Sequence, residues 1–125
     1  MEFADLSNGD IELRVLLESD YDALSELAKD PEIWTYNPIL TDPAQFKAKW
    51  FSHALRDMKE KTRHVYVVIQ NHNIVGSTSF YHISEKHKRL DIGYTWFKPS
   101  LWGQGLNRIT KIMMLNYAFK TLNFN

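Results

Sequence analysis

The chain has 125 residues, 44% of them hydrophobic, which suits a single globular domain over 1–125 and is too apolar for intrinsic disorder. Its 15 basic and 15 acidic residues cancel, so neither a nucleic-acid partner nor an anionic membrane surface is expected. No cysteine is present, which excludes disulfides, thiolate nucleophiles and cysteine-based metal sites and fits a cytoplasmic setting. The first residues are acidic rather than an apolar signal core, and no apolar run reaches the ~20 residues that span a bilayer.

Taken in order, Ile11–Val15 alternates apolar and polar like a half-buried strand. Ser19, with Asp22 three residues on, reads as a helix N-cap, and Tyr21, Leu24, Leu27 and Ala28 supply the apolar stripe. Asp30-Pro31 ends that helix, because the residue before proline is pushed out of the helical region. An aromatic, proline-containing loop is expected over 33–40. Asp42-Pro43 then opens a second helix, with Phe46, Trp50, Ala54 and Met58 on its inner face. The β-branched, aromatic run 64–70 is a strand, 71–73 a turn, and 74–82 its antiparallel return, with Gly76 marking a bulge or a close backbone approach. A third long strand follows over Arg89–Phe97, with Leu90, Ile92, Tyr94 and Trp96 predicted on one face and Gly93, Thr95 and Phe97 on the other. The last helix is expected from about 107 to 122, apolar almost all round from Ile112 to Phe119 and so buried against the sheet.

The run DIGYTWFKPSLWGQGLN over 91–107 carries the chemistry. Strand, Gly-x-Gly turn and helix start in that order converge backbone N–H groups at a helix N-terminus, a place suited to a phosphate. Gly103 and Gly105 let the backbone approach such a group with no Cβ in the way. A nucleotide-binding fold of the parallel type would put its glycine turn after the first strand, and here it follows the last of an antiparallel run. The five histidines show no metal-ligand spacing, so no metal is expected.

These residues resemble the acetyl-CoA-binding core of the GNAT N-acetyltransferases, particularly the branch that acetylates ribosomal-protein N-termini. The resemblance covers nearly the whole chain and implies an α+β GNAT-like fold in the order β-α-α-β-β-β-α with a mainly antiparallel sheet. The family continues with a further strand, a helix and two closing strands, so the domain is expected to be incomplete at its C-terminus, the chain stopping at Asn125. A homo-oligomer is expected to cover the apolar surface left bare.

The resemblance also implies the site. The strand edge at Tyr94, Thr95, Trp96 and Phe97 would pair with pantetheine amides. Trp102, Gly103, Gln104, Gly105, Leu106 and Asn107 would cradle the pyrophosphate, with Arg108 either on a CoA phosphate or a solvated cation. Lys111 reads as solvated. Asp91 is the candidate to accept the amine proton, directly or through water, where relatives often carry Glu; its other reading is an ion pair with Arg89 or Lys88. Trp34 and Tyr36 would wall the acceptor channel or pack in the core, and the residue that protonates the thiolate would lie in the absent part. The implied activity is acetyl transfer from acetyl-CoA to an amine, a protein or peptide N-terminus or a small amine. The rival reading is a non-catalytic acyl-CoA-binding or interaction module.

Overall fold

Gly9 turns the chain between two short strands. β1 (Leu6–Asn8) and β2 (Ile11–Val15) pair antiparallel around it, with Gly9 at φ 61°, a left-handed conformation that glycine takes freely. β1 is too short to carry a periodic signal, and it adds a strand to those the sequence predicts. In the computed structural model, which describes residues 2–37, 40 and 42–124, β2 is followed in the sheet by β3 (Arg63–Gln70), β4 (Asn73–Ser84) and β5 (Arg89–Phe97). The five strands run in the order β1-β2-β3-β4-β5, all neighbours antiparallel. Pro38 and Ile39 of the expected 33–40 loop, and Asn125, lie outside the described residues.

Between β2 and β3 the chain covers one face of the sheet with three helices. α1 (Tyr21–Ala28) is entered through a 3₁₀ turn at Glu18–Asp20. Asp20, not Ser19, caps that entry: its carboxylate accepts from the Leu17 N–H at 2.8 Å and pairs with Arg14 at 2.9 Å. Asp30 both ends α1 and starts α2 (Pro31–Thr35), accepting from the Glu32 N–H with Pro31 in the first turn. The first three residues of the segment read as loop are therefore part of a helical turn that buries Ile33 and Trp34. Asp42 starts the next helix as expected, accepting from the Ala44 N–H. A π-helical turn over Phe46–Phe51 leads into α3 (Ser52–Lys59). The wider turn sends Phe46, Trp50 and Phe51 inward together, and Ala54 continues that face.

The first layer of core lies under these helices and includes Leu24, Ile33, Trp34, Phe46, Trp50, Val65, Val67 and Trp96. The second lies on the opposite face under α4 (Leu106–Asn116), with Leu13, Tyr66, Val68, Phe80, Phe97 and Met114. α4 buries Leu106, Thr110 and Met114 along one side, and Ala118 in the π turn that follows (Tyr117–Thr121). It is not buried all round: Ile112, Leu115 and Phe119 are 46%, 42% and 51% exposed. A helix packed on one side of a sheet can bury only the stripe that faces it.

Two irregularities set the phase of β4 and β5. Opposite β3, Val75 is an extra residue between the pairs Ile69↔Ile74 and Val68↔Gly76. Gly76 also lies so close to β5 that a Cβ there would come within 2.2 Å of the Trp96 carbonyl oxygen. Opposite β4, Ser79 pairs with Gly93 and Ser77 with Trp96, so Tyr94 is a bulge residue, at φ 52°. The bulge breaks the predicted alternation. Leu90 and Ile92 face α4, whereas Trp96 faces the three-helix layer and Phe97 again faces α4. The Arg63 guanidinium, on a residue 5% exposed, sits 4.2 Å over the Tyr94 ring, with Asp57 of α3 at 3.7 Å. Burial lowers the pKa of Arg63, and Asp57 and Tyr94 oppose that shift.

His64 faces the α4 side, stacked on Phe3 at 4.8 Å and edge-on to Tyr66 at 4.7 Å. Burial lowers its pKa from 6.5 to about 4. Because the folded value is depressed, stability is full above the unfolded value and falls as pH drops, since the unfolded chain takes up the proton first.

Two measurements check these packings. Urea unfolding should show stability falling between pH 7 and pH 4 by an amount that reaches about 3 kcal/mol from this one residue. His64→Phe should flatten that part of the profile, and an unchanged slope would contradict it. Tyr94→Leu should cost about 1 to 2 kcal/mol, most of it lost again when combined with Arg63→Met, because the ring's main task is to face a buried cation. Strict additivity in that cycle would show that the ring and the guanidinium do not depend on each other.

Candidate functional site

β5 is an edge strand, hydrogen-bonded only to β4. After Phe97 the chain makes a 3₁₀ turn at Pro99–Leu101, held by the Lys98 N–H to the Val75 carbonyl at 2.8 Å. The Trp102 indole N–H then donates to the Phe97 carbonyl at 3.0 Å and folds the turn back on the end of β5. Gly103 and Gly105 follow at φ 80° and 83°. Left-handed backbone at two alternate positions is what demands glycine here, since a Cβ on either would meet nothing within 4 Å.

Gly105 is the N-cap of α4, with no side-chain cap. The Ile109 N–H to the Gly105 carbonyl is the first bond of the helix ladder, so the N–H groups of Leu106, Asn107 and Arg108 precede it and have no helical acceptor. They lie at the positive end of an eleven-residue helix dipole. The open space beside both glycines is where a phosphate could approach these donors.

A groove of about 820 Å³ joins the turn to the strand edge. Its lining includes Thr95, Trp96 and Phe97 from β5, Trp102, Gly103 and Gly105 from the turn, and Leu106, Asn107, Arg108 and Lys111 from α4. Tyr36, 72% exposed, closes it from the α2 side and meets Trp102 edge-on at 5.7 Å. The sequence reading left Lys111 to solvent, yet it lines the groove one helical turn beyond Arg108. Glu32 is also in the lining.

Other predicted residues are placed differently. Trp96 is 2% exposed and Leu106 4%, so both are core residues as well as part of the groove lining. Thr95 shares a 2.9 Å hydrogen bond with Thr78. Gln104 donates to the Ser100 carbonyl and is not in the lining. Trp34 packs in the core and is not in the groove lining: it is 5% exposed, its indole N–H donates to the Ala28 carbonyl, and its ring packs on Trp96. Tyr94 is occupied with Arg63.

Asp91 lies up β5 from the groove and outside its lining. It pairs with neither Arg89 nor Lys88; its carboxylate meets Nδ1 of His82 at 2.9 Å. Sequence reasoning missed this partner, because strand alternation places His82 on the opposite face from Tyr81 and Asp91. It also missed Arg63, whose one signal was a cation just before a β-branched, aromatic strand. Among the described residues no group of three or more histidine and acidic side chains could hold a metal ion, and no helix is long and apolar enough to cross a membrane.

The family description "Acetyltransferase (GNAT) domain" matches residues 10–125. An uncharacterized N-acetyltransferase, p20, from Bacillus licheniformis is 27% identical over 118 residues, covering 90% of this chain. The chain spans 65% of the length of that relative. The fold matches a GCN5-related N-acetyltransferase from Brucella melitensis with a TM-score of 0.80 at 16% identity, over 99% of this chain and 58% of that one. It matches RimL, a ribosomal L7/L12 α-N-protein acetyltransferase, at 0.74 and 23%, over 92% and 65% of the two chains. It also matches a spermidine N-acetyltransferase from Vibrio cholerae, solved with CoA and spermine, at 0.70 and 18%, over 94% and 68%. A strand edge, a left-handed glycine turn and an uncapped helix start are thus found in a chain matched to one family over all but its first nine residues. The chain belongs to the GNAT acetyltransferase family.

Proposed function

We propose that this protein is an N-acetyltransferase that transfers acetyl from acetyl-CoA to an amine. The acceptor is a protein or peptide N-terminal α-amino group, as for RimL, or a small amine, as for the spermidine enzyme. The observation that carries the reading is the turn at Gly103 and Gly105, which leaves three helix-start amides facing open space beside an unpaired strand edge. Those two features suit a ligand that is anionic at one end and carries amides along its length.

The N–H groups of 106–108 would hold the pyrophosphate, with Arg108 and Lys111 adding charge-assisted donors from the same wall. The backbone of 94–97 would pair with the pantetheine amides as an added strand does. Bound acetyl-CoA supplies an acyl group already activated as a thioester. The protein's part is to hold an amine beside it, neutral and oriented. Tyr36, exposed at the α2 side of the groove, would contact the acceptor. Asp91 is the carboxylate that serves the amine proton, directly or through an intermediary.

Isothermal titration with acetyl-CoA tests the reading. Gly103→Val and Gly105→Val each put a branched side chain into the open space and force a left-handed backbone. Affinity should fall roughly tenfold or more, equivalent to about 1.4 kcal/mol, while the variants keep a cooperative melt lowered by about 1 to 2 kcal/mol of backbone strain. Unchanged affinity in both folded variants would remove the phosphate-turn reading.

A further inference from the structure

The end of the sheet beyond the groove holds a side-chain pair that regular strands would not make. In β4, alternation puts Phe80 on the α4 side and Tyr81 on the other, and would return His82 to the α4 side. Tyr81 is the register partner of Asp91. His82 instead adopts φ 48°, where the register slips between Tyr81 and Ser84. Its ring swings to within 4.5 Å of the Tyr81 ring, and Nδ1 lies 2.9 Å from the Asp91 carboxylate. A left-handed histidine inside a strand costs about 1 to 2 kcal/mol. Here that strain brings an imidazole and a carboxylate from adjacent strands onto one face.

The pair has the geometry of a base and its orienting group. A carboxylate can only accept, so in the neutral imidazole Nδ1 carries the hydrogen and Nε2 has the lone pair. Three quarters of the His82 side chain is exposed, and 57% of Asp91. The position follows from contacts. The Tyr81 ring is 5.1 Å from the Tyr94 ring, and the groove lining begins at the next residue, Thr95. The pair therefore lies past the end of the β5 edge that is farther from the glycine turn. Charged and titratable groups around the pair include Tyr81 on β4, Arg89, Asp91 and Tyr94 on β5, and Arg63 on β3 with Asp57 of α3 behind it.

We infer that His82 Nε2 is the group that takes the proton from the acceptor amine, with Asp91 holding its tautomer and facing the imidazolium that forms. This rests on the acetyl-transfer reading and names the intermediary through which Asp91 acts. The ammonium of the acceptor gives one proton to Nε2. The freed nitrogen lone pair bonds to the thioester carbonyl carbon, the C–S bond breaks with its electron pair on sulfur, and a second nitrogen proton ends on that sulfur as the thiol. The imidazolium returns its proton to water.

The test has an arm that needs no catalysis. Nitrogen-15 NMR of the 125-residue chain should show His82 as the Nδ1–H tautomer, and Asp91→Asn should shift the population toward Nε2–H. The second arm uses His82→Gly, which relieves the left-handed strain and leaves space for a small molecule. With acetyl-CoA and either an Ala- or Ser-initiated peptide or spermidine, kcat should fall roughly a hundredfold with KM for acetyl-CoA unchanged. Added imidazole should restore part of kcat in proportion to its concentration. Asp91→Asn should lower kcat in the same direction by a smaller factor, and imidazole should not rescue it. A His82 tautomer insensitive to Asp91→Asn, or kcat within twofold in His82→Gly, would overturn the assignment. So would a chain that binds acetyl-CoA with the pair intact yet acetylates none of these amines. Failure to bind acetyl-CoA would count against the proposed function instead, and the tautomer arm would still decide the pair.

Discussion

The bulge at Tyr94 is the constraint on which the site depends. One extra residue in β5 reverses which face each later side chain meets. Trp96 then closes the aromatic layer under the three helices, and Phe97 joins the layer under α4. The strand that borders the groove is thereby anchored in both cores within two residues. The left-handed backbone at Tyr94 is unfavourable on its own, and the buried Arg63 cation over its ring helps to hold it. Arg63 also gains from the contact, since a guanidinium this enclosed needs compensation for lost water.

The glycine turn works by a different physics. Its conformation is mainly local: two left-handed residues and a folded-back indole, with Tyr36 edge-on to that indole, orient the start of α4. What packing adds is direction. Leu106, Thr110 and Met114 seat α4 on the sheet, so that its uncapped first turn opens toward the β5 edge. An amide cluster and a strand edge become one groove because a single core holds both.

Within the strands, left-handed non-glycine residues occur at His82 and Tyr94, on adjacent strands and bridged by the Tyr81 ring. Elsewhere β4 and β5 lie beside well-packed neighbours: the Ser77 hydroxyl donates to the Tyr66 carbonyl, while the buried Ser79 hydroxyl and Trp96 indole N–H have no hydrogen-bond partner. Strain of this kind persists only where surrounding structure over-determines it. Here it is concentrated beyond the groove, at the end of β5 away from the glycine turn.

Local signals were legible in the sequence. The three long strands, the Asp42-Pro43 helix start, the Phe46–Trp50–Ala54 face and the Gly-x-Gly turn each depend on residues within one or two turns of one another, and each stands in the structure near its predicted place. The close approach and the bulge offered for Gly76 both occur there. The misses share a cause. β1 is three residues long, α2 is a single capped turn, and the buried stripe of α4 depends on which side the sheet lies. The phase of β5, the burial of Trp34, the pairing of Asp91 with His82 and the stacking of Arg63 on Tyr94 join residues from different elements. By itself the sequence determined backbone conformation wherever a residue type is the only one that fits, as glycine at 103 and 105 and proline after Asp42. Tertiary structure alone decided which side chains meet, because a one-residue slip in a strand changes every partner beyond it while leaving the local pattern of residues the same.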